Sequence, residues 1–375
     1  MKVLHIISGG EVGGSKKHLL TLANNMNMNS EEIKIVIVCL MEGELYREAL
    51  DMGLDIRLIK QRNRGDITII NKLRKLCMDE DIDIVNCHGG RANFLGFFLK
   101  IKYEAKYVST IHSDYKKDYL GNTFKTSIFS NINRQVLRVF DNYITVSDSF
   151  KEMLVERGFL PSKIHVVYNG MDFESGIEDF SREDIIMKNG IVGAEHYVSM
   201  IGRFHPVKGH TVFLDACKQV LTEFQNVIFI LIGDGELKAE LKKYVEDAGM
   251  SNKVYFAGFK KPDEFIFISD FTVVASFTES FPMVILESAF YEKSVVSTDV
   301  GGISKLIHNG ENGYLVKPGD SEELAEKMLK LLRDENLSYD FGKKLYENAR
   351  DNYSIENMVS NYIRIYKDID GGIYL

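Results

Sequence analysis

Val3-Leu4-His5-Ile6-Ile7, then Ser8-Gly9-Gly10-Glu11-Val12-Gly13-Gly14, then Ser15 to Asn25: this opening decides the fold. The first five residues form a short apolar run of the kind buried on both faces of a parallel sheet. The glycines turn the chain, and a helix is predicted from about Ser15 to Asn25. A strand–turn–helix opening needs further parallel strands to pair with. The first half supplies them, because apolar runs at 33–39, 54–59, 82–87, 106–111, 142–146 and 164–168 alternate with helical stretches, as crossover connections demand. Residues 1–172 read as one doubly wound, Rossmann-like domain.

The polar stretch from Glu174 to Asn189 reads as a linker with a lead-in helix. His196-Tyr197-Val198-Ser199-Met200-Ile201 opens a second alternation, with strand runs at 227–232, 253–256, 271–275, 295–297 and 314–316. Residues 173–355 therefore read as a second domain of the same type. Tyr353 to Asp368 patterns as a final amphipathic helix. The expected fold is α/β, two doubly wound Rossmann-like domains facing a cleft, with ligands at the carboxyl ends of the strands.

At 375 residues, 45% hydrophobic and 27% charged, the chain is long enough for two or three domains and has no low-complexity tract. Its four cysteines, Cys39, Cys77, Cys87 and Cys217, have no metal-ligand spacing and read as reduced thiols. Neither a signal peptide nor an apolar run of spanning length is apparent, so the expected location is cytoplasmic. The net charge of −8 is uneven: residues 1–172 carry 24 Lys and Arg against 21 Asp and Glu (+3), and residues 173–375 carry 22 against 33 (−11). From Val85 to Phe140 nine cations (Arg91, Lys100, Lys102, Lys106, Lys116, Lys117, Lys125, Arg134, Arg138) face three acids (Glu104, Asp114, Asp118). Phe94, Phe97, Phe98, Tyr115, Tyr119, Phe124 and Phe129 lie among them. Such a stretch suits an anionic membrane surface, placing the protein peripherally on the inner face of the membrane, and suits a core helix with a solvated face equally well. No nucleic-acid partner is expected.

The chemistry concentrates in Thr278-Glu279-Ser280-Phe281-Pro282-Met283-Val284-Ile285-Leu286-Glu287. Pro282 suits the first helical position and Met283 to Phe290 continues as an apolar helix. The N–H groups of residues 281 to 284 are then aimed at whatever lies between two carboxylates eight positions apart. A helix start attracts phosphate, whereas carboxylates accept from hydroxyls. A nucleotide-sugar needs both. Arg203 and Lys208 flank the loop after the first strand of the second domain, where guanidinium and ammonium suit a diphosphate. Gly13 and Gly14 precede a helix and let the backbone approach a phosphate. Neither Gly9 to Gly14 nor Gly233-Asp234-Gly235 has the Gly-x-Gly-x-x-Gly spacing of dinucleotide sites, so no nicotinamide or flavin cofactor is expected. Asp81-Ile82-Asp83 leads into a strand and reads as its cap, so no metal is expected either.

These segments resemble the retaining glycosyltransferases of family 4 with the GT-B fold. The resemblance is carried by the Glu-x7-Glu pattern of Glu279 and Glu287, by Gly202-Arg203-Phe204-His205-Pro206-Val207-Lys208-Gly209, and by Val167-Tyr168-Asn169-Gly170-Met171-Asp172. With Gly301-Gly302 and Asn309-Gly310-Glu311-Asn312-Gly313 it spans nearly the whole chain. It implies a nucleoside-diphosphate sugar as co-substrate, with a UDP-sugar the expected donor. The acceptor hydroxyl would belong to a carbohydrate or lipid-linked acceptor, in bacterial surface polysaccharide or glycoconjugate synthesis. It also implies Glu287 on the ribose and Glu279 on the donor sugar. Ser280, Phe281, Pro282, Met283 and Val284 would lie at the donor. His112, at the end of the strand Tyr107 to Ile111, would take the place of the family's functional histidine. A C-terminal helix, about 356–375, would pack back on the first domain. His88 is a candidate acceptor contact, while His18 and His205 read as structural. Lys16 stands where the family often has Glu, which departs from the pattern. A sugar-nucleotide epimerase of the same architecture and a non-catalytic GT-B scaffold are the alternatives. The intact Arg203, Lys208, Glu279 and Glu287 speak against the scaffold.

Overall fold

The computed structural model describes residues 1–10, 14–29, 32–63, 66–114, 135–176 and 179–371. The chain divides into two compact units, Met1–Gly170 with Ile355–Leu375, and Met171–Ser354. Each is built around a parallel sheet.

In the first unit the strands are β1 (Lys2–Ile7), β2 (Lys34–Cys39), β3 (Ile56–Leu58), β4 (Ile84–His88), β5 (Lys106–Ile111), β6 (Asn142–Thr145) and β7 (Ile164–Val166). Their order is β3-β2-β1-β4-β5-β6-β7. The order reverses at β1 and β4, which pair in parallel with His5 opposite Asn86. At such a switch point the crossovers leave in opposite directions and a crevice opens beyond the strand ends. Two buried layers flank the sheet. One includes Leu19, Leu22 and Met26 of the helix Gly14–Asn29 with Met358, Tyr362, Ile365 and Tyr366 of the helix Ile355–Gly371. The other includes Leu73, Leu95, Leu99 and Phe140.

The second unit has β8 (His196–Ile201), β9 (Val227–Ile232), β10 (Val254–Gly258), β11 (Phe271–Val274), β12 (Ser294–Thr298) and β13 (Tyr314–Val316). Their order is β10-β9-β8-β11-β12-β13, with the switch point between β8 and β11. All six residues of β9 are buried, as expected for a strand covered on both faces.

Two local expectations need correction. Pro282 is the N-cap, with φ −75° and ψ 119°, and Met283 is the first helical residue. The extended ψ leaves Pro282 one position outside the helix. Asp81 does not cap a strand; it ends the helix Ile70–Glu80 in the left-handed region at φ 51°. Asp83 does meet a strand, accepting the backbone N–H of Lys2 at 2.7 Å.

The basic aromatic stretch divides. Phe94, Phe97 and Phe98 lie on the helix Gly89–Lys100, pack against the core and make edge-to-face ring contacts. Lys100 pairs with Asp141 at 2.6 Å. Lys116, Lys117, Lys125, Arg134, Asp118, Tyr115, Tyr119, Phe124 and Phe129 lie outside the described residues. Among the described residues no helix is long and apolar enough to cross a membrane.

Gly342 shows which force governs helix packing in the second unit. It lies in the helix Glu335–Tyr353, where Ala would be favoured by about 1 kcal/mol on propensity alone. A Cβ there would sit 1.9 Å from the Glu292 carbonyl oxygen. Backbone cannot yield like a side chain, so the close approach outweighs propensity, at the ~1–3 kcal/mol typical of overpacking. Gly342→Ala is therefore expected to lower the denaturant midpoint. A raised midpoint would contradict this packing.

Candidate functional site

The loop after β8 and the loop after β11 leave from neighbouring strands at the switch point and are tied together. The Phe277 N–H donates to the Val207 carbonyl at 2.8 Å. Lys208 Nζ meets Glu279 Oε1 at 2.5 Å, and Ser276 Oγ donates to the same oxygen at 2.7 Å. Glu279 is 11% exposed and Lys208 29%. Glu279 is thus a well-held, partly buried carboxylate. An ammonium has three N–H donors and a carboxylate several acceptor positions, so the pair retains bonding capacity for a ligand. Ser276 was not picked out in the sequence.

A third loop sets the position of Glu279. Gly301 has φ +60°, and a Cβ on it would lie 1.9 Å from the Glu279 carbonyl oxygen. The next residue, Gly302, donates its N–H to the Ser280 carbonyl at 3.0 Å. Only glycine allows both the left-handed backbone and this approach. Beyond the loop, Phe281 is buried against the Tyr353 ring, and the helix Met283–Phe290 begins. A helix start leaves its first N–H groups without carbonyl partners inside the helix, and Met283 and Val284 carry them here. Glu287 is half-buried on this helix.

Arg203 is exposed. Its loop is fixed from beneath, with Phe204 fully buried, its N–H donating to the Asp234 carbonyl at 2.9 Å and its carbonyl accepting from Leu237 at 3.1 Å. His205 is structural, its Nδ1 accepting the Val207 N–H at 3.2 Å. Arg203 and Lys208 thus share a loop, but in this structure the partner of Lys208 is Glu279.

In the first unit the expected residues gather around histidines. His112 follows β5, and its Nε2 lies 2.9 Å from His88 Nδ1. His88 Nε2 lies 2.8 Å from His5 Nδ1. The His5, His88 and His112 rings follow one another edge to edge, with centroids 5.1 and 5.2 Å apart and planes tilted by 24° and 23°. His18 meets His112 edge-on and bonds Asn169 Oδ1 and Tyr362 Oη, each at 2.8 Å. His88 is 2% exposed with both ring nitrogens engaged. It is therefore a support of His112 and has no nitrogen left for an acceptor. Reading the sequence also missed His5, because a histidine inside an apolar strand run has no motif. Gly13 lies outside the described residues, and Gly14 starts its helix with open space where a Cβ would stand. Lys16 pairs with Glu48 at 2.7 Å and Glu44 at 3.3 Å. Among the described residues no group of three or more His, Cys, Asp or Glu is arranged to hold a metal ion.

Burial first, then the charge His18 would carry, lowers the His5 pKa to about 3. Burial lowers His18 to about 4 against the opposing pull of Asn169. Burial and the neighbouring rings push His88 and His112 well below the usual value. All four are neutral at pH 7. Above about pH 6.5 the rings are neutral folded or unfolded, so they add no pH dependence. Below it the unfolded chain binds protons the folded cluster refuses. Each ring then removes up to ~1.4 kcal/mol of stability per pH unit until its folded pKa is reached. Denaturant unfolding should show a loss of at least about 2 kcal/mol between pH 7 and 5.5, shallower in His18→Gln. A flat profile would show that the cluster is not buried as a neutral unit.

The comparisons with known proteins agree with this architecture. The model of glycosyltransferase family 4 matches residues 12–175, and that of glycosyl transferases group 1 matches residues 181–351. The chain is similar to N-acetyl-alpha-D-glucosaminyl L-malate synthase of Bacillus anthracis, 27% identical over 314 residues, 81% of this chain and 79% of the relative. It is also similar to UDP-Gal:alpha-D-GlcNAc-diphosphoundecaprenol alpha-1,3-galactosyltransferase of Escherichia coli, 23% identical and covering 91% and 88% of the two chains. Among solved structures, HepE of Anabaena in complex with UDP-glucose superposes with a TM-score of 0.85 at 20% identity, covering 98% of this chain and 100% of the other. Two family models laid end to end along the chain, on two doubly wound parallel sheets, establish that it belongs to the glycosyltransferases of family 4, with the GT-B fold.

Proposed function

We propose that this protein transfers a sugar, with retention of configuration and without a metal, from a nucleoside-diphosphate donor to an acceptor hydroxyl in assembly of a bacterial surface glycan. The observation that carries this reading is the Lys208–Glu279 pair beside the start of the helix Met283–Phe290. It puts a cation and helix N–H groups for phosphate next to a fixed carboxylate for sugar hydroxyls. The donor named for the Escherichia coli relative, UDP-Gal, and the UDP-glucose of the Anabaena structure support a uridine nucleotide.

Lys208 keeps one N–H on Glu279 and offers others to the diphosphate, with Arg203 reaching from the same loop. Charge builds on the departing diphosphate in the transition state, and fixed donors aimed there lower the barrier. Glu279, oriented by Ser276 and Lys208, accepts from a donor-sugar hydroxyl, and Glu287 accepts from the ribose. His112 contacts the reacting sugar. A leaving phosphate oxygen that takes the acceptor's proton would give retention without a covalent nucleophile, as the resemblance implies.

Incubation with a panel of nucleotide-sugars, followed by mass spectrometry with and without acceptors, separates the alternatives. Transfer gives nucleotide release that rises with acceptor and matches glycosylated product. Isomerised sugar-nucleotide without acceptor would instead indicate an epimerase, and no turnover a scaffold. Arg203→Ala and Lys208→Ala should each lose about 1.5–3 kcal/mol of phosphate interaction, roughly ten- to a hundredfold in kcat/KM. EDTA should leave the rate intact. Near-normal transfer by both variants, or activity restored to chelated enzyme by Mg²⁺, would overturn this site.

A further inference from the structure

A neutral imidazole has one N–H donor and one bare acceptor nitrogen, so each ring-to-ring contact has a direction. That direction is legible from the far end of the cluster. Thr110 Oγ1 donates to Asn86 Oδ1 at 2.9 Å, and Asn86 Nδ2 donates to Tyr366 Oη at 2.8 Å. A phenol oxygen that accepts from Asn86 has its own proton to give, and His5 Nε2 lies 3.2 Å away. His5 Nε2 is then the acceptor and Nδ1 carries the proton, donated to His88 Nε2. By the same logic His88 Nδ1–H donates to His112 Nε2. His112 is left with its proton on Nδ1.

We propose that Asn86, Tyr366, His5 and His88 are positioning residues that hold His112 as the Nδ1–H tautomer, making it a hydrogen-bond donor and closing its Nε2 to service as a base. The donation of that N–H to the reacting sugar rests on the reading of His112 given above. The fold explains why the relay is rigid. His5 faces Asn86 across β1 and β4, and His88 faces Thr110 across β4 and β5. Tyr366 is fully buried on the helix Ile355–Gly371, 361 positions from His5. The C-terminal helix therefore sets the protonation pattern of a ring at the end of β5. The chain of bonds is also all-or-none. Turning the Asn86 amide round would reverse every link and move all three protons to Nε2, so the three rings must share one tautomer.

The test is two-bond ¹H–¹⁵N correlation spectroscopy of the substrate-free, full-length protein labelled with ¹⁵N-histidine, at pH 7.5. Signals are assigned with the single variants His5→Asn, His88→Asn and His112→Asn. His5, His88 and His112 should each show a protonated Nδ1 and a bare Nε2. Tyr366→Phe, which keeps the packed ring but removes the proton donated to His5, should turn this single pattern into a tautomer mixture at His112. Protonated Nε2 on His112, different tautomers among the three rings, or an unchanged His112 in Tyr366→Phe would overturn the relay. The wild-type spectrum alone suffices if the variant does not fold. Because no substrate is present, a wrong tautomer sinks the relay itself. The expected tautomer with a fully active His112→Ala supports the relay and sinks only the assignment of His112 to the sugar.

Discussion

The Lys208–Glu279 ion pair organises the second unit. Its partners lie 71 positions apart and meet because β8 and β11 adjoin at the switch point, so their trailing loops leave side by side. Ser276 completes the grip on the carboxylate, and Gly301 permits the backbone approach that sets its depth. A pair exposed to water would contribute little. This one is partly shielded and braced, so it fixes where a positive and a negative group stand, as the proposed transfer requires. Preorganised charge of this kind costs no reorganisation during reaction.

The first unit solves a different problem. Four histidines at or near the carboxyl ends of β1, β4 and β5 and on the first helix are packed too closely and too deeply to carry charge. Neutral rings can be satisfied only by hydrogen bonds of consistent direction, and Asn86, Asn169, Tyr362 and Tyr366 supply the ends. Stability and chemistry are linked here, because the buried bonds that hold the C-terminal helix against the sheet also fix the ring that reaches furthest out.

The α/β class and nearly every strand were legible because parallel strands covered on both faces must be continuous apolar runs. Val3–Ile7 and Val227–Ile232 could hardly be anything else. Arg203, Lys208, Glu279 and Glu287 stood out in the sequence as a pattern of charges around two loops, and the structure joins those loops through Lys208 and Glu279. Other features were set by tertiary approach. Gly301 is needed only because another loop's carbonyl lies against it. His5 looks like one polar residue in a strand until Tyr366 is brought to it from the far end of the chain. Asp81 and Pro282 were misplaced by one structural role each, because caps are decided by single backbone angles that composition does not reveal.

We propose that the loop of Arg203 and Lys208 and the start of the helix Met283–Phe290 receive a diphosphate. The crystal structure of the protein with a bound UDP-sugar tests it most directly. The β-phosphate oxygens should lie within hydrogen-bonding distance of Lys208 Nζ and the Met283 or Val284 N–H, with a sugar hydroxyl on Glu279. A diphosphate bound elsewhere, with the Lys208–Glu279 pair unchanged and facing solvent, would contradict it.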